Sequence, residues 1–154
     1  MGFYTSADLM PVAFHFKVSI GKTNANLDTS FKEVAGLDVK MDLLPMKEGG
    51  ENRFQHQLPT GVKQQPVSLK RGLAGKVSPL MQWCKGVLEG GLAEEIEPKD
   101  VWISLCDKNR DPMRMWVVHG AFPIRWNIDA FNSTKNEVAV ETIELACQYV
   151  ERVL

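Results

Sequence analysis

The sequence has no long hydrophobic run, no dense cysteine framework, no basic stripe and no low-complexity tract. Each absence closes off a class. A helix that spans a bilayer takes about 20 consecutive apolar residues, and the apolar runs here are a few residues long, so no membrane span is expected. Cys84, Cys106 and Cys147 are odd in number and widely spaced; they read as small core residues within helix or strand, not as a disulfide scaffold. Formal net charge is -1, with Lys and Arg dispersed, which argues against specific nucleic-acid binding and against an acidic or basic tail. The opening MGFYTSADLM lacks a basic region followed by an apolar stretch, so the expectation is no cleaved secretory signal and assembly in a reducing cytoplasm. What remains is 44% hydrophobic and 24% charged over 154 residues, the composition and length of one globular domain with one core.

What is present is mostly strand signal. Val12, Phe14, Phe16, Val18 and Ile20 alternate with Ala13, His15, Lys17 and Ser19, the period of a half-buried strand. GLDVKMDL repeats the pattern, with Leu37, Val39, Met41 and Leu43 expected inward and Asp38, Lys40 and Asp42 outward. Residues 45–65 interrupt it, and MKEGGENRFQHQLPTG within them offers little to bury and reads as a long hairpin loop. PVSLK then resumes, followed by VWISLC (101–106), MRMWVV (113–118), IRWNI (124–128) and the long NEVAVETIELACQYV (136–150). In the last, the apolar parity shifts between Val140 and Ile143, as a β-bulge would cause. SPLMQWCKGVLEGG alone carries a helical stripe, apolar at 80, 83, 84, 87 and 88. Ser78 is its expected N-cap, Pro79 its first residue and Gly90 the left-handed residue past its end. The expected fold is mainly β, an antiparallel sandwich or barrel with one flanking helix over about residues 79–89, in a single domain 1–154.

Motifs with chemistry fail on inspection. VSIGKT follows a strand, but a phosphate-binding loop needs glycine where Phe16 stands. Asn132-Ser133-Thr134 and Leu58-Pro59-Thr60-Gly61 read as turns. His15, His56 and His119 show no ligand spacing with one another or with the cysteines. No Gly-x-Ser-x-Gly turn presents a serine nucleophile, and Glu94, Glu95, Glu97 and Asp100 read as a solvated run before a strand. No catalytic, metal or cofactor-binding residue is expected, and the chain does not read as an enzyme.

Several segments in order carry a family likeness: PVAFHFKV, FKEVAGL, EGGEN followed by LP, VSLKRG, and the helix with Trp83. MWVVHGAFPIRW and NEVAVETIELACQYV continue it with Trp116, Phe122-Pro123, Trp126 and Glu141 to Leu145. Nearly end to end, the chain resembles the tail-tube (inner tube) proteins of contractile phage tails and extracellular contractile injection systems. Ala35 departs from a serine frequent in that family. The resemblance implies hexameric rings stacked into a hollow tube, driven out by a contracting sheath and conducting cargo. It also implies a fold related to the type VI secretion tube protein. The implied partners are copies of the chain itself, the sheath, baseplate and terminator or cap proteins, and an effector in the lumen. The final location would be a phage tail or tail-like particle, extracellular after release.

On that resemblance, Lys47, Glu48, Gly49, Gly50, Glu51, Asn52 and Arg53 are the expected inter-ring stacking loop, with residues 1–10 as a second stacking arm. Lys17, Lys40, Arg114 and Arg125 are candidates for the wall of the bore or the sheath side, and Gln82, Lys85 and Glu89 for the helix's outer face. The alternatives are a type VI-like ring protein that binds or caps effectors, and a small cupin-like barrel that would need a metal or a pocket.

Overall fold

The computed structural model describes residues 15–21, 27–47, 49–50, 53–72, 78–129, 134 and 139–154. They form β1 (His15–Ile20), β2 (Leu27–Ala35), β3 (Val39–Met46), β4 (His56–Gln64), β5 (Val67–Gly72), α1 (Pro79–Glu89), β6 (Lys99–Cys106), β7 (Pro112–Ile128), β8 (Val140–Ala146) and β9 (Tyr149–Arg152). Strands β6, β1, β2, β5, β8 and β7 follow one another in the main sheet, and pairing of β6 with β7 closes that order on itself. The result is an antiparallel β-barrel with α1 packed against β7 and, more lightly, against β1 and β2. Closure removes most of the free strand edges that a sheet of this size would otherwise expose. The expected Val12, Ala13 and Phe14, the Lys22-Thr23 of the rejected loop motif, Asn132, Ser133 and residues 136–138 lie outside the described residues.

Alternation fills the barrel. Phe16, Val18 and Ile20 of β1 pack with Val101 and Ile103 of β6, Val118 of β7, and Leu80 and Cys84 of α1. On β5 the inward positions are Val67, Leu69 and Arg71, and on β8 they are Glu141, Ile143 and Leu145. These sets lie opposite one another in unbroken register: Val67 faces Leu145, Leu69 faces Ile143, and Arg71 faces Glu141. The parity shift expected at Val140–Ile143 is therefore not a bulge in β8. Val140 points away, and Glu141 takes the inward place that a charged residue was not expected to hold. The irregularity sits on the partner strand, between Pro123 and Arg125 of β7.

Buried charge survives here because it is fully paired. Arg71 Nε donates to Glu141 Oε2 at 2.9 Å, and an Arg71 terminal nitrogen donates to Ser78 Oγ at 2.8 Å. Trp126 Nε1 donates to Glu141 Oε1 at 2.6 Å, and the guanidinium lies 4.8 Å from the centre of the Phe31 ring. Ser78 in turn accepts from Met81 N as the helix N-cap. One network thus ties β5, β8, β7 and β2 to the start of α1.

The long 136–150 segment is two strands in one line. Ala146 of β8 pairs with Phe122, and Tyr149 of β9 pairs with His119, so both run along β7 with a break at Cys147 and Gln148. Opposite that break Gly120 has φ +61, and a Cβ there would press on the Gln148 side chain. MRMWVV and IRWNI correspondingly join into the single 17-residue β7. Beside the break, His119 stacks on Tyr149 and meets Glu151 Oε2 at 2.9 Å and Asp100 Oδ2 at 3.5 Å, pinning β9 to the barrel. Helix bounds match expectation, but its cap is displaced by one residue: Gly90 is right-handed, and the left-handed glycine is Gly91 with φ +59.

Candidate assembly surface

β3 and β4 leave the barrel as a separate two-stranded sheet. β4 falls inside the segment expected to be loop, so the interruption shrinks to residues 47–55 between the two strands. LDTSFKEVA, not read as a strand from its pattern, forms β2.

The hairpin base is fastened at two points. Gly36 has φ +84, and a Cβ on it would overlap the Pro66 carbonyl, so the chain crosses itself there only because the residue is glycine. Gln64 Nε2 donates to the carbonyls of Gly36 at 3.2 Å and Asp38 at 3.4 Å, while its Oε1 accepts from Val150 N of β9 at 3.2 Å.

Register decides which side chains share a face. Val39 pairs with Gln64, and Met41 with Val62; after a shift between Asp42 and Leu43, Leu44 pairs with Leu58 and Met46 with His56. The extra residue is Thr60 of β4, so it is β4 whose parity reverses while β3 alternates without a break: Val39, Met41 and Leu43 share one face with Val62, and Leu44 and Met46 share the other with Leu58. Lys40, Asp42 and Lys63 lie on the face of Leu44, where Lys63 and Asp42 form a 2.9 Å ion pair. Of the expected inward set, Val39, Met41 and Leu43 do share one face, and Leu37 packs against the core. What the structure corrects is their burial: Val39, Met41 and Leu43, like Leu44, Met46, Leu58 and Val62, are 43–61% exposed. Pattern predicted a buried face because it could not show that the hairpin projects from the barrel.

Such a surface is costly in water. Each side chain, about half exposed, forgoes about 1 kcal/mol of burial, and an isolated two-stranded hairpin is at best marginally stable. Contiguous exposed apolar patches mark sites of contact.

At the tip, Lys47, Gly49, Gly50 and Arg53 are exposed, and Gly50 has φ +91, a conformation that favours glycine. Glu48, Glu51 and Asn52 of the expected stacking loop lie outside the described residues, as does the 1–10 arm. Phe54, also exposed, stands edge-on to His56 at 5.4 Å. The four basic candidates for a tube wall sit on separate elements: Lys40 on the hairpin, Lys17 on β1 with Nζ donating to Arg110 O at 3.1 Å, and Arg114 and Arg125 exposed at opposite ends of β7. Gln82, Lys85 and Glu89 face outward from α1 as expected.

Among the described residues no group of three or more His, Cys, Asp or Glu could hold a metal ion, and no helix is long and apolar enough to cross a membrane. Burial pushes the Cys147 thiol above its ordinary pKa. The Cys106 thiol is raised as well, chiefly by burial, with Asp107 and Asp111 adding to the rise and Lys17 opposing it.

The family model of the T4-like virus tail tube protein gp19 matches residues 12–151. The chain belongs to that family: it is a tail-tube protein of the kind found in contractile injection systems, a structural component and not an enzyme. Among solved structures it is similar to a chain of the 6-fold-symmetrised anti-feeding prophage baseplate, at 25% identity and TM-score 0.76 over 94% of this chain and 97% of that one. A chain of the PVC extracellular contractile injection system sheath–tube complex in its extended state matches at 25% identity and TM-score 0.75, over 99% of each. Hcp1 from Flavobacterium johnsoniae, 12% identical over 90% of this chain and 94% of its own with TM-score 0.51, shares the fold. No curated protein sequence matches the chain.

Proposed function

We propose that the 154 residues act as one tail-tube domain that closes into homo-hexameric rings, and that these rings stack into the inner tube of a contractile particle. The observation that carries this reading is the apolar surface of β3–β4: Val39, Met41, Leu43 and Val62 half-exposed on one face, and Leu44, Met46 and Leu58 on the other, of an arm that the barrel does not cover. A neighbouring copy is its occupant, since heterologous contacts between copies build a ring where they close and a tube where they do not. Residues 47–53 at the tip extend to the adjoining ring, with Gly50 permitting the backbone turn and Lys47 and Arg53 supplying charge. Around the tube stand a contractile sheath, a baseplate at one end and a terminator cap at the other, with cargo in the bore. The particle assembles in the bacterial cytoplasm and acts as a phage tail or a released injection particle.

Native mass spectrometry of the purified 17.3 kDa chain tests the ring directly. Particles of six subunits, and stacks of them, are expected as concentration rises. A monomer at every concentration and salt would sink the reading.

A further inference from the structure

The barrel has electrically opposite ends. β6 starts beside a cleft of about 480 Å³ between α1 and the segment that follows it. Trp83, Val87, Leu92 and Ile96 give this cleft apolar walls, and its charged lining is Glu94, Glu95, Glu97 and Lys99, three negative against one positive and so a net of minus two. The volume lies within the roughly 300–1,000 Å³ of clefts that hold ligands, and Leu92, at 78% exposure, is the most open of the exposed large hydrophobic residues. Leu92 also has φ +65, a left-handed conformation uncommon for a bulky side chain.

At its other end β6 turns into β7 through residues 107–111. Asp107 Oδ1 accepts from Asn109 N at 2.8 Å and from Asp111 N at 3.0 Å, which fixes the turn and occupies that carboxylate. Arg110 sits at the top with φ +69, the second non-glycine residue in a left-handed conformation among those described. Lys17, Lys108, Arg110 and Arg114 stand here against Asp107 and Asp111, four positive against two negative and so a net of plus two. The β6 span from Lys99 to Cys106, seven steps of about 3.3 Å, separates the two ends by about 23 Å, so one copy cannot join its own turn to its own cleft.

From these opposed ends we infer that the β6–β7 turn of one copy docks in the α1 cleft of the next, Lys108 and Arg110 meeting Glu94, Glu95 and Glu97 while their stems lie along Trp83 and Leu92. The occupant is a second copy of this chain because the complementary charge is on the chain itself, presented on a turn held rigid by its own hydrogen bonds. The contact is head to tail, the type that propagates. It rests on the tube reading and is separate from the hairpin, giving each copy a second interface. Long basic side chains suit it, since their stems cover apolar surface while their heads keep to charge.

The test uses two full-length variants with exposed substitutions, E94K/E95K/E97K in the cleft and K108E/R110E in the turn, each checked for an unchanged thermal unfolding midpoint. Alone, each brings like charges together and should raise the concentration needed for assembly by about tenfold or more, equivalent to at least about 1.4 kcal/mol. Mixed one to one they should assemble again, because the reversed cleft of one fits the reversed turn of the other and the two unaltered halves fit as before. Native mass spectrometry should then show equal numbers of each variant in the particles. Either variant assembling alone like wild type overturns the contact and leaves the cleft to a partner such as a sheath protein. A folded pair that fails to assemble when mixed overturns it equally. Wild-type protein serves as the control: if it does not assemble, the tube reading falls, whereas normal wild-type assembly beside normal variant assembly removes this contact alone.

Discussion

Arg71 and Glu141 show how a single pair can fix a barrel and remain invisible to pattern. Charged residues in a strand read as outward, so an inward pair opposite each other looks like a slip in register. The missing information is tertiary: Phe31, Trp126 and Ser78 come from three other parts of the chain to satisfy the two groups. Removing one partner strands the other in the core. Arg71→Met is expected to cost about 3–5 kcal/mol, read as a lower urea midpoint, while Arg71→Met with Glu141→Leu recovers much of the loss. If the single and double variants were equally destabilised, the pairing would not be what holds these residues.

The cysteines respond to pH in a direction set by burial. A thiol whose folded pKa is raised holds its proton where an unfolded thiol has begun to lose it. Cys106 and Cys147 should therefore react more slowly with a thiol reagent in the folded protein than in urea at the ordinary thiol pKa. The gap should narrow only as pH climbs past the raised folded values. Linkage has the same sign: the folded state binds more protons in that window, so stability falls as pH rises through it. Equal labelling rates folded and unfolded would contradict the assigned burial.

Among elements, those with a simple period were legible and those without were not. α1 is bounded by Ser78, Pro79 and the glycine pair because capping chemistry is local, and only the choice between Gly90 and Gly91 escaped. β4 was hidden because HQLPTGVKQ carries a proline and a glycine and only two large apolar residues, Leu58 and Val62. Prolines fit there because the strand belongs to a two-stranded sheet with open edges. β3 was recognised as a strand with Val39, Met41 and Leu43 on one face, but the exposure of that face depends on tertiary context, since nothing of the barrel packs over it.

The hairpin makes its own prediction. Met41→Lys with Val62→Lys puts two cations on an already exposed face, so the unfolding free energy of the monomer should change by no more than about 0.5 kcal/mol per site. Assembly measured by sedimentation should be lost. A variant that unfolds early instead would mean the face packs within its own subunit.

For the whole molecule, strands without chemistry, one capped helix and six ordered segments in series were enough to name the family. The closed order of the barrel was not readable, since it depends on which distant strands meet. Nor was the division between barrel and arm, which an alternating pattern writes identically. Of the proposed stacking loop, Lys47 to Arg53, the described residues Lys47, Gly49, Gly50 and Arg53 are exposed on an arm whose base is locked by Gly36 and Gln64.

The most direct test of that arrangement is a cryo-EM reconstruction of the assembled wild-type protein. Sixfold rings are expected in which Val39, Met41, Leu43 and Val62 are buried against an adjacent copy. Rings in which that face stays in solvent, or assemblies joined only through other surfaces, would contradict it.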